Sequence, residues 1–232
     1  AAFNIAGHAL NPGRTLKSFN PLLMETYELV DTTLGFRYFA EQVSHHPAIS
    51  ACYVEGNGYF YYTNSNSKQN FLFTKGALEV INVGRTFINL TTTGETFSFI
   101  RPKVIVKGLI VGKMSVEFFD FSNHTNHNTG DVLEVKFYGN NEPNSGDIGV
   151  VKGQVKDFMG VTKLEIEGSW LSHLDIKYNG VTERIWEKLN TDTYENYYFT
   201  DFASNMNYLT EELKKCLPPT DSRLRPDQRA LE

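Results

Sequence analysis

Leu133-Glu134-Val135-Lys136-Phe137 alternates apolar and polar residues, and Leu164-Glu165-Ile166-Glu167 does the same. A period of two is the mark of a strand with one face buried and one solvated. Working outward, Val104 to Val111 (VIVKGLIV) is rich in β-branched residues, and Leu78 to Val83 alternates less regularly. Glycine-bearing turns separate such runs at Glu55-Gly56-Asn57-Gly58, Val83-Gly84, Thr93-Gly94 and Asn179-Gly180. About ten runs at roughly 8–12-residue spacing predict a mainly β chain built on a large antiparallel sheet or barrel. No fixed-period repeat with shared identities accompanies them, which argues against a propeller.

Asn123 to Gly130 (NHTNHNTG) and Gly139 to Gly149 (GNNEPNSGDIG) hold polar turn formers and read as loops. A helix is expected at the C-terminal end. In Thr200 to Leu217, Phe202, Met206, Leu209, Leu213 and Leu217 recur at helical spacing, and Pro218-Pro219 stops the run. Pro226 can open a further helix. No linker interrupts the chain, so residues 1–232 read as one domain.

Lys and Arg number 22 against 27 Asp and Glu, a net charge of −5. That balance argues against a nucleic-acid partner, which a globally basic surface would serve. Nothing approaches the ~18 consecutive apolar residues of a membrane-spanning helix. The start lacks the basic-then-apolar pattern of a signal peptide. Cys52 and Cys216 have no CxxC partner and read as reduced thiols, so the expected location is cytoplasmic. The chain opens at Ala1 and stops at Glu232, and the expectation is a piece of a larger protein.

The chemistry concentrates in Glu41-Gln42-Val43-Ser44-His45-His46-Pro47-Ala48-Ile49-Ser50-Ala51. A regular strand sends adjacent histidines to opposite faces. A turn before Pro47 aims both at one ligand instead. Two imidazoles suit a phosphate, which favours their protonation. A metal lacks a third ligand nearby, and a structural pair is the remaining reading. In Arg14 to Thr26, Lys17 offers a point charge and Asn20 an amide that donates and accepts. His124 and His127 have a spacing that can share a metal on a helix, but their neighbours say loop. Nucleophile-elbow, zincin and P-loop patterns are absent. Glu25, Glu28 and Glu41 can form an acid–base pair with the histidines only if the fold gathers them. Trp170, Trp186 and Tyr59-Phe60-Tyr61-Tyr62 either line a cavity or fill the core.

Taken together, these segments resemble the lipid-binding domain of the oxysterol-binding protein family. EQVSHHPAISA at 41–51 departs from the family hallmark only at Ala48, a proline in the family. Lys17-Ser18-Phe19-Asn20-Pro21-Leu22-Leu23-Met24-Glu25-Thr26 matches a second motif, with Ser18 in place of proline and Met24 in place of glycine. Leu217 to Asp227 (LPPTDSRLRPD) matches the family's ending. The resemblance implies a near-complete antiparallel β-barrel enclosing a lipid tunnel. It implies a non-enzymatic protein, peripheral at organelle membranes, that extracts phosphatidylinositol 4-phosphate and exchanges it for a sterol or phosphatidylserine. A lipid sensor or tether at membrane contact sites is the alternative, and a lipid hydrolase a more distant one. Ligand contacts carry over to Lys17, Asn20, His45 and His46, with Leu22 and Leu23 at the mouth. No cofactor or metal is implied. The family's lid would lie before Ala1, and its remaining headgroup contacts beyond Glu232.

Overall fold

The structure is a computed structural model describing residues 1–9, 11–13, 20–139, 149–189 and 199–229. Strands β1 (Thr26–Asp31), β2 (Phe36–His45), β3 (Ala48–Gly56) and β4 (Tyr59–Asn64) make an antiparallel meander. Strands β5 (Ser67–Leu72) and β6 (Ala77–Asn82) leave this sheet before β7 (Arg85–Leu90) and β8 (Glu95–Ile100) resume it. Then follow β9 (Lys103–Lys107), β10 (Ser115–Asn126), β11 (Val132–Phe137), β12 (Val150–Lys156), β13 (Thr162–Ser169), β14 (His173–Tyr178) and β15 (Val181–Glu187). The main path is β1-β2-β3-β4-β7-β8-β10-β11-β12-β13-β14-β15, with β5-β6-β9 as a side branch on β10. The path ends at β1 and β15, so the wall forms an open barrel-like sheet.

Long β10 serves both parts. Ser115 to Phe119 pair with β9, while Asp120 to Thr125 pair with β11. The change falls at Asp120, whose φ is 72° and whose carboxylate accepts from Lys103 Nζ at 2.7 Å. The side branch leaves the main sheet at the rim that carries the β2–β3 turn. Ser65 N donates to Ser50 O at 2.8 Å, two residues from the start of β3.

Alternation along the strands decides the interior. From β10 to β14 the inward side chains Leu133, Val135, Phe137, Val151, Ile166 and Leu174 are buried. Short helix α1 (Ala2–Ala6) places Ile5, fully buried, in that cluster. His8 follows, its ring 4.2 Å from Phe118. Trp170 is core, edge-on to Phe118 at 5.0 Å. Burial pushes His8 down to about 4, with help from the Arg101 charge, and burial pushes His124 down to about 3.

The outer edge of β1 is closed by the C-terminal segment. Thr26 N donates to Thr220 O at 2.9 Å. Asp221 Oδ2 accepts Glu28 N at 3.3 Å, and Arg223 Nη2 donates to Glu28 O at 2.5 Å. Arg223 and Asp221 pair in two-pronged fashion, both bonds 2.8 Å, with side chains 2% and 0% exposed. The guanidinium also lies 4.5 Å over the Tyr27 ring.

Several expectations change. Instead of one helix over 200–217 there are two, α2 (Asp201–Ser204) and α3 (Glu211–Cys216). Thr200 and Thr210 each accept a backbone N–H as N-caps, and Asn205 to Thr210 between them favours turns over helix continuation. A last helix, α4 (Pro226–Arg229), does open at Pro226. The VIVKGLIV run is strand only to Lys107. Gly108 turns at φ 75°, where a Cβ would sit 2.4 Å from Lys113 O. Much of the NHTNHNTG stretch is strand, since β10 reaches Asn126. The other expected loop lies outside the described residues from 140 to 148.

Asp221→Ala removes the carboxylate that pairs with the buried Arg223 guanidinium, and is expected to cost about 3 kcal/mol, read from the urea midpoint. His8 and His124 give a pH dependence. Their folded pKa values lie below the unfolded ~6.5, so the folded chain holds fewer protons between. Stability is therefore full above about pH 6.5 and falls as pH drops toward 4. His8→Phe should reduce proton uptake on unfolding near pH 5 by about one, measured from the slope of stability against pH.

Candidate functional site

The β2–β3 turn is two residues, His46 and Pro47, with a cis peptide between them. A bulge at Val43 precedes it, since the register slips between Gln42 and Ser44. Such a bulge re-aims the residues that follow. His45 and His46 both stand exposed, ring centroids 4.5 Å apart. The turn thus brings the two imidazoles together, as one of the sequence readings required. Beneath them Gln42 is buried, its Nε2 donating to Ser44 O at 2.8 Å and its Oε1 accepting from Ser50 Oγ.

Residues 20–25 reach the same rim. Met24 N donates to Gln42 O and Gln42 N to Glu25 O, both at 2.9 Å. Glu25 accepts from Leu22 N at 2.7 Å and from Arg225 Nη1 at 2.8 Å. The same Arg225 nitrogen donates to Asn20 O at 2.9 Å, and Arg225 also pairs with Asp227. Asn20, Leu22 and Leu23 are exposed there. Lys17 lies outside the described residues. The Glu25 carboxylate is committed to this clamp, while Glu28 lends its backbone to the β1 clasp and leaves its side chain exposed. Arg225 organises the rim, and its only sequence signal is its place in the 217–227 motif.

Deeper along the same strands the wall is apolar. One cavity of about 430 Å³ is lined by Phe97, Phe99, Leu133, Val155 and His124 among others. A second, about 380 Å³, is lined by Val54, Tyr59 and Tyr61. Phe3, Ile88 and Leu90 border both. Tyr59 and Tyr61 therefore line the interior, while Tyr62 stacks on Phe87 at 5.0 Å on the opposite face. Burial raises the pKa values of Cys52, Tyr38 and Tyr61, so these three groups of the wall stay neutral at neutral pH. His124 faces the cavity beside Phe99, 4.9 Å between rings, whereas His127 bonds Ser98 Oγ at 2.8 Å and stacks on Phe87. The two point to opposite faces, and no group of metal ligands occurs among the described residues.

The Oxysterol-binding protein family model matches residues 1–232. The chain belongs to the oxysterol-binding protein family. Oxysterol-binding protein-related protein 6 of Mus musculus is 34% identical over 236 residues, covering all of this chain and 24% of its own length. Related protein 1B of Arabidopsis thaliana is 34% identical over 241 residues, covering all of this chain and 48% of its own. The chain thus spans less than half the length of these relatives. Among solved structures, the Osh1 ORD domain in complex with cholesterol superposes with a TM-score of 0.86 at 28% identity, over 99% of this chain and 58% of that one. The Osh3 ORD from Saccharomyces cerevisiae in complex with PI(4)P gives 0.83 at 33% identity, over 99% and 62%. Mainly β architecture and a lipid-binding family accord with the sequence reading. No helix among the described residues is long and apolar enough to cross a membrane.

Met24 sits at φ 66°, the left-handed region that glycine tolerates and methionine does not. Its side chain is exposed, so little packing is lost on removal. Met24→Gly is expected to stabilise the chain by up to about 1 kcal/mol, seen as a higher urea midpoint with an unchanged slope.

Proposed function

We propose that this chain is a lipid-binding and transfer module, peripheral at organelle membranes, that extracts phosphatidylinositol 4-phosphate and exchanges it for a sterol. One observation carries the reading: β3 starts at the histidine turn and runs down to Val54 on the cavity wall. A headgroup at the turn therefore leaves its chains beside the apolar interior. The sterol and PI(4)P complexes of Osh1 and Osh3 support both ligands.

The work is binding, with no covalent step. Apolar burial contributes ~25 cal/mol per Å² and sets most of the affinity. His45 and His46 meet the inositol phosphate, Asn20 hydrogen-bonds near the phosphodiester, and Leu22 and Leu23 flank the mouth. Lys17 adds a charge to the same group. Each charge-assisted contact contributes roughly 1.5–3 kcal/mol, enough to select among headgroups. Burial keeps the Cys52 thiol protonated, so that thiol does not serve as a nucleophile on this wall.

His45→Ala combined with His46→Ala should weaken phosphoinositide extraction from liposomes by about a hundredfold or more, while sterol uptake persists. Undiminished phosphoinositide extraction, or release of phosphate from a labelled lipid, would defeat the proposal.

A further inference from the structure

The side branch β5-β6-β9 ends in two turns. Phe73 to Lys75 form a 3-10 turn closed by Gly76, and residues 108–114 link β9 to β10. They touch through Leu109 N, which donates to Gly76 O at 3.1 Å. Their large apolar side chains face outward: Phe73 is 79% exposed, Ile110 65% and Val111 86%. Phe71 braces Phe73 edge-on, rings 4.7 Å apart. Lys75 and Lys113 are the charged residues of the two turns, both exposed, and residues 71–76 and 108–114 contain no carboxylate.

Three large apolar side chains held in water are the mark of a surface that meets something. The tip is too small for a stable protein interface, which needs roughly 20–30 residues on each side. Apolar residues at the apex with lysines beside them fit the acyl boundary and phosphates of a bilayer. Placement agrees, because the branch rises from the same rim as the histidine turn and extends about 20 Å of strand beyond it.

We propose that turns 73–76 and 108–114 form a docking tip that inserts Phe73, Ile110 and Val111 into an anionic lipid bilayer, with Lys75 and Lys113 on its phosphates. The tip deepens the lipid-transfer reading by naming where the membrane is met. Its reach is shallow, so docking is reversible, as transfer between membranes demands.

The test uses the whole chain and vesicles lacking phosphoinositide and sterol: phosphatidylcholine alone, or mixed with phosphatidylglycerol. An environment-sensitive fluorophore is placed at Val111→Cys in a Cys216→Ser background. Its emission should shift blue on the anionic vesicles, and the shift should fade as salt rises. Lys75→Ala and Lys113→Ala should each weaken association roughly fivefold. Phe73→Asp with Val111→Asp should abolish co-sedimentation without changing the circular dichroism spectrum, because both side chains are exposed. The His45→Ala, His46→Ala variant should dock unchanged, which separates this inference from the headgroup site. A probe already in apolar surroundings before vesicles are added would mean that protein covers the tip. That result, or full vesicle binding by the aspartate variant, overturns the proposal.

Discussion

An open sheet leaves a row of unpaired backbone groups on its first strand, and here that constraint is met by one buried ion pair. Asp221 takes the outward N–H of Glu28 and Arg223 takes its carbonyl, while Thr220 serves Thr26. The last part of the chain thus acts as a short substitute strand. Such cover protects an edge from pairing with another molecule. It also decides where Arg225 falls, two residues on, and Arg225 holds Asn20 and Glu25. Through Gln42 the order reaches the histidine turn. The buried pair is expensive to form, since two charges leave water, and its return is geometric definition of the rim more than net stability.

The interior divides into two unlike halves. From β10 to β14 it is packed, with α1 filling the space. From β3 through β8 it is open, lined by aromatic and aliphatic side chains, and the opening continues past His124 and Leu133 to Val155 on β12. Neutral tyrosine, threonine and thiol groups occupy the zone between, where Thr63 and Thr86 share a 2.7 Å hydrogen bond. This grading from charged surface to apolar depth is what an amphipathic ligand requires.

Much of this was legible in the residues. Alternation at Leu133 to Phe137 and Leu164 to Glu167 marks strands because each has one core face and one wet face. The doubled histidine before Pro47 allows a regular strand or a turn, and the structure has the turn. What failed were features decided by partners far along the chain. The stripe from Phe202 to Leu217 has helical spacing, yet Thr200 and Thr210 cap two separate pieces and Tyr27 Oη takes the Met206 carbonyl between them. VIVKGLIV has strand composition throughout, but the main chain of Lys113 leaves room only for glycine at 108. His124 looked like a loop residue because asparagine and threonine surround it; its pairing with Leu133 and Phe99 fixes it in the wall. The role of Arg225 depends on a contact 200 residues back, which no local pattern records.

Because the strand residues of the second cavity sit on β3, β4 and β7 while the core cluster sits on α1 and β10 to β14, the shape of that cavity and fold integrity are open to separate variation. Substitutions at Val54, Tyr61 or Ile88 reshape the space a ligand sees without touching Val135, Val151 or Leu174, which hold the core. Distant sites contribute to stability nearly independently. The shape of that cavity can therefore change while the rim clasp and the packed strands stay as scaffold.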